Sequence, residues 1–312
     1  MRVLLTGGGG MLATSIADAW STQRPDDELV VVSRRDVDLT DAAATRRVIG
    51  DARPELVIHT AASVGGIADK TARPLPYLLN NVIIDASVIE AVVAADVPRY
   101  LYTASAAAYP ADAVNPISES ALFGGPLEQA NEGYGLAKLT GITAVRYAAR
   151  QTGRAYRSIL PSNLYGPGDS FDPTRSHLIA STLLKTHAAR EAGSDHVEVW
   201  GDGTARREFT FAPDIARWIA ASIDSIAEWP DIMNVGAGTD HSIREYYELA
   251  ADVVGFGGEL KFDPEKPSGV PRRLIDSSRA RAHGWAPQTA IRDGMAECYR
   301  AFLTRSPIGD PR

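Results

Sequence analysis

Residues 3–13 read VLLTGGGGMLA, a short apolar run followed by four glycines and the start of an amphipathic segment. The glycines and the small residue after them fit the pattern G-x-x-G-x-x-A at Gly7, Gly10 and Ala13. In a dinucleotide-binding fold these residues permit a tight turn, a close approach of the backbone to a pyrophosphate, and packing of the helix on the strand. The pyrophosphate lies at the helix N-terminus, where free N–H groups and the helix dipole favour an anion. We therefore expect a dinucleotide at this turn, beside Gly7, Gly10 and Met11.

The rest of the first half repeats the alternation of strand and helix. Further apolar runs at 29–32, 56–58, 100–102 and 158–160 predict buried strands, and amphipathic stretches at 12–20, 41–50, 77–95 and 134–152 predict helices. This order indicates a parallel sheet with helices on both faces. The predicted fold class is α/β, a Rossmann-like doubly wound parallel sheet with a smaller α/β substrate-binding domain.

The second half of the chain does not continue the regular alternation of strands and helices. We predict helices at 176–190, 213–226, 242–254 and 289–303, strands at 197–200 and 208–211, loops at 161–175 and 262–273, and a frayed tail at 305–312. Ser242 and Glu245 have the spacing of a helix capping box. We predict that residues 1–163 form the nucleotide-binding domain, with about 208–232 returning to it. Residues from about 164–207 and 233–312 then form the substrate-binding domain.

The overall composition excludes several classes of protein. The 312 residues include 32 Lys and Arg against 39 Asp and Glu, a formal charge of −7, which argues against a nucleic-acid partner. The single cysteine, Cys298, excludes a disulfide framework and a multi-cysteine metal site. No apolar run approaches the roughly 18 residues of a membrane span, and no signal-peptide pattern opens the chain. We expect a cytoplasmic protein with no metal and no membrane partner.

The end of the second predicted strand bears on cofactor choice. Residues 32–35 read VSRR, with two arginines and no carboxylate among them. A carboxylate at this place selects the ribose 2′-hydroxyl of NAD, whereas arginine accommodates the 2′-phosphate of NADP. We therefore predict NADP(H), held by Arg34 and Arg35, with Asp38 and Leu39 at the adenine edge. The alternative is that both arginines are solvated surface residues.

Three residues in the middle of the chain form a candidate proton-transfer set. Tyr134 and Lys138 lie four residues apart, on one face of the predicted helix. A nearby ammonium lowers the pKa of a phenol, which can then exchange a proton with a carbonyl or alcohol as hydride is transferred. Ser105 follows a predicted strand, at the sheet edge where ligands bind in such folds. The alternatives are a surface Tyr–Lys pair and an ordinary turn serine.

Together, the glycine turn, Ser105 and the Tyr-x3-Lys pair resemble the extended short-chain dehydrogenase/reductases. Longer segments are similar to the GDP-L-fucose synthase family within that group. These segments are 61–67 (AASVGGI), 161–169 (PSNLYGPGD), 176–179 (SHLI), 200–209 (WGDGTARREF) and 266–273 (KPSGVPRR). They resemble A-A-x-V-G-G-I, P-T-N-L-Y-G-P-x-D, S-H-V-I, W-G-x-G-T-x-x-R-E-F and K-P-D-G-T-P-R-K. The resemblance covers nearly the whole chain.

The resemblance implies an activity and a set of site residues. The family epimerises C3 and C5 of GDP-4-keto-6-deoxymannose and then reduces the C4 ketone with NADPH. It implies that Ser105, Tyr134 and Lys138 carry out the reduction, with Tyr134 and Lys138 also at the cofactor beside Ala61 and Ala62. The residues implied at a GDP-4-keto-6-deoxy sugar are Val64, Gly65, Asn163, Lys185, Trp200, Arg207 and Arg273. Lys185 and Arg207 would lie near its diphosphate, which suits cations. A homodimer through helices near 77–95 and 134–152 is also implied.

One position departs from the family pattern. Its epimerisation uses a histidine, which matches His177, and a cysteine two residues after the catalytic serine, where this chain has Ala107. Alanine cannot carry a proton, whereas epimerisation next to a ketone needs both a base and an acid. We favour a C4 reductase without full epimerase activity, in which His177 positions the substrate. The alternatives are a bifunctional epimerase/reductase that uses His177 with water or another group, a redox-neutral sugar-nucleotide epimerase, and a non-catalytic regulator that binds the cofactor.

Overall fold

The computed structural model describes residues 1–172, 176–266 and 269–304. The predicted tail at 305–312, Pro267 and Ser268 of the KPSGVPRR segment, and residues 173–175 of the predicted loop lie outside the described residues. The strands and helices follow in this order: β1 (Arg2–Thr6), α1 (Met11–Gln23), β2 (Glu28–Val32), α2 (Ala42–Ala52), β3 (Leu56–His59), α3 (Ile67–Ala72), α4 (Pro74–Ala94), β4 (Arg99–Thr103), α5 (Glu132–Thr152), β5 (Ala155–Pro161), β6 (Asn163–Tyr165), α6 (Leu178–Glu191), β7 (His196–Trp200), β8 (Arg206–Arg207), β9 (Phe209–Phe211), α7 (Ala212–Ser222), β10 (Ile232–Val235), β11 (His241–Ser242), α8 (Ile243–Val254), β12 (Glu259–Asp263), β13 (Arg272–Arg273), α9 (Ser278–Ala282) and α10 (Ile291–Thr304).

Six parallel strands form the main sheet, in the order β10-β5-β4-β3-β1-β2. Successive residues of β1 serve opposite faces: Leu4 packs in the core under α2, α4 and α5, whereas Val3 and Leu5 pack in the core under α1 and α7. This alternation follows from the two-residue period of a strand. Apolar residues on both faces require helices on both faces, and the predicted α/β fold class is confirmed.

The strand that completes the sheet was not predicted. Residues Ile232–Val235 form β10, which pairs with β5, whereas Phe209–Phe211 forms β9 and pairs with the short strand β6 outside the main sheet. The predicted helix 213–226 ends at Ser222 and continues as a 3-10 helix over Ile223–Glu228. Four residues that include an asparagine give too short a pattern to predict a strand. The division into two domains stays a prediction.

A third core lies outside the main sheet, where α6, α8 and α10 pack with β7 and β12. The capping box that begins α8 is confirmed, because Ser242 Oγ accepts from the Glu245 amide at 3.1 Å and the Glu245 carboxylate accepts from the Ser242 amide at 2.6 Å. Cys298 lies in α10 and is buried in this core. It therefore has a packing role and lies in a different core from the residues around Tyr134.

Helix α4 is unusually apolar. It is the one helix among the described residues that is long and apolar enough to cross a membrane, with a mean hydropathy of 1.5. It packs against α2 and α5, and its buried residues include Asn81 and Asp85. Buried polar groups of this kind are typical of a core helix in a folded domain.

Candidate active site

The glycine turn is shaped for a phosphate group. Gly7 has a φ of +85°, and a Cβ there would lie 2.7 Å from Thr60 Oγ1 and 2.8 Å from the Ala61 amide nitrogen. Gly10 occupies the N-cap of α1, where no side chain caps the helix. The first amides of α1 therefore remain available to an anion. These residues fit the pyrophosphate of a dinucleotide, with Met11 in the first turn and Ala61 against Gly7.

The loop after β2 presents positive charge to solvent. Arg34 and Arg35 are exposed there, whereas Leu39 is buried. The nearby carboxylates are held within the loop: Asp36 accepts from the amide and hydroxyl of Ser33, and Asp38 accepts from those of Thr40. Because these acids are engaged locally, the loop fits a 2′-phosphate better than a 2′-hydroxyl that needs a carboxylate.

Ser105 and Tyr134 meet at the carboxyl end of β4. Ser105 begins the 3-10 helix Ala106–Ala108, and its Oγ accepts from the Ala107 amide at 3.2 Å. Tyr134 lies in the first turn of α5, and its phenol lies beside the Ser105 hydroxyl, close enough for that hydroxyl to lower its pKa. Two hydroxyl groups are thus held together at one edge of the sheet, where a carbonyl oxygen could bond to both.

Lys138 lies one turn further along α5 and is 1% exposed. Its Nζ is 3.4 Å from both carboxylate oxygens of Asp85 and donates to the Tyr102 hydroxyl at 3.2 Å. Asp85 also accepts from Tyr102 and lies 3.1 Å from His59 Nε2, and His59 Nδ1 lies 2.6 Å from Thr6 Oγ1. A buried polar network therefore runs from Lys138 to the end of β1.

This network changes what was expected of Tyr134. The sequence predicted that Lys138, together with an oxidised nicotinamide, would lower the pKa of the phenol. Instead, burial first, and then the charge of Asp85, raise the pKa of Tyr134, while the hydrogen bond with Ser105 opposes them. The physical reason is that Asp85 compensates the Lys138 ammonium. At neutral pH the phenol is therefore protonated and able to donate.

A second lysine approaches Tyr134 from α3. Lys70 Nζ lies 5.2 Å from the centre of the Tyr134 ring, closer than Lys138 at 6.0 Å, and donates to Asn131 Oδ1 at 2.8 Å. Burial lowers the pKa of Lys70 to about 8, although the charge of Glu128 opposes it. Burial, followed by the charge of Lys70, lowers the pKa of His177 to about 4. His177 is the N-cap residue of α6.

Two further groups of cations contain residues that were predicted to bind the substrate. Lys185 Nζ lies 5.5 Å from the ring centre of Trp200, whose side chain is 52% exposed. Arg273 is buried, donates to the Ala106 carbonyl at 3.2 Å, and has a guanidinium nitrogen 3.9 Å from Glu128. Burial lowers the pKa of Arg207. The charge of Glu128 opposes this shift, and the charge of Arg273 adds to it.

Comparison with known proteins identifies the family. The profile of the NAD dependent epimerase/dehydratase family matches residues 3–236. This chain belongs to that family. The GDP-L-fucose synthase of Azorhizobium caulinodans is 36% identical over 307 residues, covering 98% of each chain, and that of Escherichia coli is 37% identical over 313 residues, covering 97% of this chain and 96% of the relative. A solved GDP-mannoheptose C4 reductase of Campylobacter jejuni with NADP bound is 28% identical, covers 97% of this chain and 98% of that one, and has a TM-score of 0.87. The resemblance predicted from the motifs is confirmed.

The structure brings some of the predicted residues together and adds neighbours that were not predicted. Ser105, Tyr134 and Lys138 are close together, and Arg207 and Arg273 meet near Glu128. Asn163 is exposed and donates to the Glu208 carbonyl at 3.1 Å, and Val64 is exposed, whereas Gly65 and Ala62 are more enclosed. Sequence reasoning missed Lys70, His59, Asp85, Tyr102, Glu128 and Asn131. The available signal for Lys70 was its rarity, because the chain has five lysines, and its place just after β3.

Proposed function

We propose that this protein is a cytoplasmic reductase that converts the C4 ketone of a GDP-4-keto-6-deoxy sugar to an alcohol with NADPH. It is an NADP(H)-dependent oxidoreductase, and its substrate is a GDP-sugar. The observation that carries the proposal is the adjacent pair of hydroxyls of Ser105 and Tyr134 at the end of β4, on the sheet edge that also holds the glycine turn. That arrangement places a carbonyl-binding pair of hydroxyls beside the dinucleotide site.

The chain's own residues then have distinct tasks. NADPH, when bound, supplies the hydride. Ser105 and Tyr134 hydrogen-bond the ketone oxygen, and Tyr134 gives up its phenolic proton as negative charge develops there. The raised pKa of Tyr134 keeps that proton in place until it is needed. Lys138, fixed by Asp85 and Tyr102, holds α5 and the Tyr134 phenol in position beside the cofactor site.

The other end of the pocket suits a nucleoside diphosphate. Lys185, Arg207 and Arg273 supply cations for the phosphates, and guanidinium groups bind such oxygens in a bidentate manner. The exposed indole of Trp200 offers a flat face on which a base can stack. We assign Val64, Gly65 and Asn163 to the sugar-binding surface.

Reduction is the half of the family chemistry that this chain retains intact. Ala107 stands where the family places a proton-carrying cysteine, so the cysteine-dependent route of epimerisation is closed. The Campylobacter jejuni relative is itself a C4 reductase, which supports reduction as a self-sufficient activity on this fold.

The test uses purified protein with GDP-4-keto-6-deoxymannose and NADPH, followed at the absorbance band of reduced nicotinamide. We expect stoichiometric NADPH oxidation and a product reduced at C4 by NMR. A product formed without net NADPH oxidation would identify a redox-neutral epimerase instead. Binding of NADPH with no turnover of this or other 4-keto GDP-sugars would favour a non-catalytic regulator.

We also propose that the enzyme is a homodimer. The exposed apolar side chains on two adjacent helices support this: Leu75, Leu79 and Ile83 on α4, and Leu136 and Tyr147 on α5. Pairing these faces across a twofold axis would form a four-helix interface. Light scattering coupled to size exclusion should give twice the 33.4 kDa chain mass, and Ile83→Arg should shift the protein towards monomer. A monomeric wild type would contradict the proposal.

A further inference from the structure

Lys70 is a half-buried cation that the reduction does not use. Its ammonium donates to the amide oxygen of Asn131, and among the described residues no carboxylate forms a salt bridge with it. Lys138, by contrast, has a carboxylate partner, Asp85. An ammonium that is largely removed from water and has no carboxylate at salt-bridge distance loses its proton more readily than an exposed one. Lys70 is therefore equipped to transfer a proton, rather than only to supply charge.

The surroundings of Lys70 place it in the catalytic pocket. Its Nζ lies 5.2 Å from the centre of the Tyr134 ring, which belongs to α5. Its other neighbours are Asn131 and Glu128, in the segment before α5, and His177, at the start of α6. Asn131 in turn donates to Glu128 at 2.9 Å, which fixes the amide oxygen that Lys70 bonds. The ammonium and the imidazole thus lie within electrostatic range of one another and of the proposed proton donor.

The protonation states of the two groups are complementary. A pKa of about 8 leaves Lys70 mostly protonated at neutral pH, and a pKa of about 4 leaves His177 neutral. One group can therefore donate a proton while the other accepts one. Exchange of a proton on carbon next to a ketone needs both abilities at once.

We propose that Lys70 and His177 form an acid–base pair that exchanges the C–H proton on a carbon next to the C4 ketone, so that Lys70 supplies the proton transfer that Ala107 cannot. This inference rests on the proposed function, because it assumes a 4-keto GDP-sugar in the pocket. It adds epimerisation of at least one centre to the reduction.

The proposed step balances without any oxidant. His177 takes a proton from the carbon next to C4, the C–H bond breaks, and its electron pair forms a carbon–carbon double bond while C4–O becomes an enolate oxygen. Ser105 and Tyr134 hydrogen-bond that oxygen. Lys70 then donates a proton to the same carbon from the other side, a new C–H bond forms and the C4 ketone returns. Solvent removes the proton from His177 and restores the one on Lys70.

The experiment measures deuterium incorporation in the full-length protein. Protein with NADP⁺ and GDP-4-keto-6-deoxymannose in D₂O is followed by NMR for deuterium at C3 and C5. The oxidised cofactor cannot donate a hydride, so the ketone is not reduced during the measurement. Wild type should incorporate deuterium at one or both positions. Lys70→Met and Lys70→Arg should each slow incorporation by about 100-fold or more, because an arginine does not release its proton at neutral pH. Lys261→Met, on the exposed side of β12, is the matched control and should exchange as wild type does.

The outcomes separate this inference from the proposed function. NADPH binding and melting temperature of each variant show whether it is folded, and Lys70→Arg preserves charge if Lys70→Met does not fold. NADPH oxidation by wild type without deuterium at C3 or C5 would overturn the acid–base pair and leave the reductase intact. Exchange in Lys70→Arg at the wild-type rate would overturn it too, because charge alone would then suffice. Absence of both NADPH oxidation and deuterium incorporation would overturn the proposed function and this inference with it.

Discussion

Two lysines flank Tyr134, one buried (Lys138) and one half-buried (Lys70), and their electrostatic surroundings are opposite. Lys138 lies between both oxygens of Asp85 and the Tyr102 hydroxyl, in a network that continues to His59 and Thr6. Lys70 has an amide oxygen as its hydrogen-bond partner, and the charge of Glu128 acts on it from further away. The first is held in place by a carboxylate and a hydroxyl, which suits a positioning role. The second is poised to change its charge, which suits proton transfer. Residue type alone therefore does not define the role of a lysine beside a catalytic tyrosine.

The largest expected effect comes from removing the group that both lysines face. Tyr134→Phe should lower the rate of NADPH oxidation by about 10²–10⁴-fold, because the proton donor to the ketone oxygen is lost. NADPH binding, followed by fluorescence titration, should be unchanged. Tyr247→Phe, a tyrosine of α8 in a separate core, is the matched control. Turnover of Tyr134→Phe within a few-fold of wild type would mean that another group protonates the ketone.

The role of the Lys138–Asp85 ion pair can be tested by removing the carboxylate of Asp85. Asp85→Asn should destabilise the protein by about 3–5 kcal/mol, because it leaves a buried ammonium without its carboxylate. Asp96→Asn, which removes a surface pair with Arg154, should cost less than about 1 kcal/mol. Urea denaturation of both variants measures the difference. Equal losses would show that the Lys138–Asp85 pair is no more demanding than a solvated one.

The pKa of Lys70 can be measured directly by titration. Burial should make Lys70 lose its proton near pH 8, with the charge of Glu128 opposing the shift. In protein carrying ¹³C at the lysine ε-carbons, five signals are expected, and the one missing from Lys70→Arg should titrate about two units below an ordinary lysine. A Lys70 signal that titrates near pH 10.5 would remove the contrast between the two lysines.

The smallest effect is a pH dependence of stability. The pKa of His177 is about 4 in the folded chain and about 6.5 when unfolded, so below pH 6.5 the unfolded state binds a proton that the folded state does not. Stability should therefore fall as the pH falls from 6.5 towards 4. At pH 5 the loss from this group is about 2 kcal/mol. The fall in melting temperature between pH 7 and pH 5 should be smaller for His177→Gln, and an unchanged fall would show that His177 does not contribute.

The sequence predicted the fold and the reacting hydroxyls well because both rest on local patterns. The glycine turn, the two-residue alternation of the strands and the Tyr-x3-Lys spacing each lie within a short segment. The early strands and helices are confirmed with their bounds shifted by only a few residues. Strand β10 escaped prediction because its four residues have meaning only next to β5.

The residues that tune the site could not be predicted because they come from separate elements. His59, Asp85 and Tyr102 lie on β3, α4 and β4, and each reads alone as an ordinary core or helix residue. The sequence could therefore pair Lys138 with Tyr134 but could not show that Asp85 compensates its charge. Lys70 lies in ADKT, which has no recognisable motif, and only the packing of α3 beside Asn131 brings it to Tyr134.

Strand β10 belongs to the main sheet but lies far along the sequence, and its position sets a minimum length for a stable fragment. A chain that stopped at the end of β5 would leave that strand with one open edge of unpaired N–H and C=O groups, which invites aggregation. It would also lack α7, whose Ile215 and Ile219 share a core with Ile16 and Trp20 of α1. During synthesis the nucleotide-binding sheet therefore stays unfinished until residue 235 has left the ribosome. Deletion variants of this enzyme should accordingly keep the chain intact through Val235.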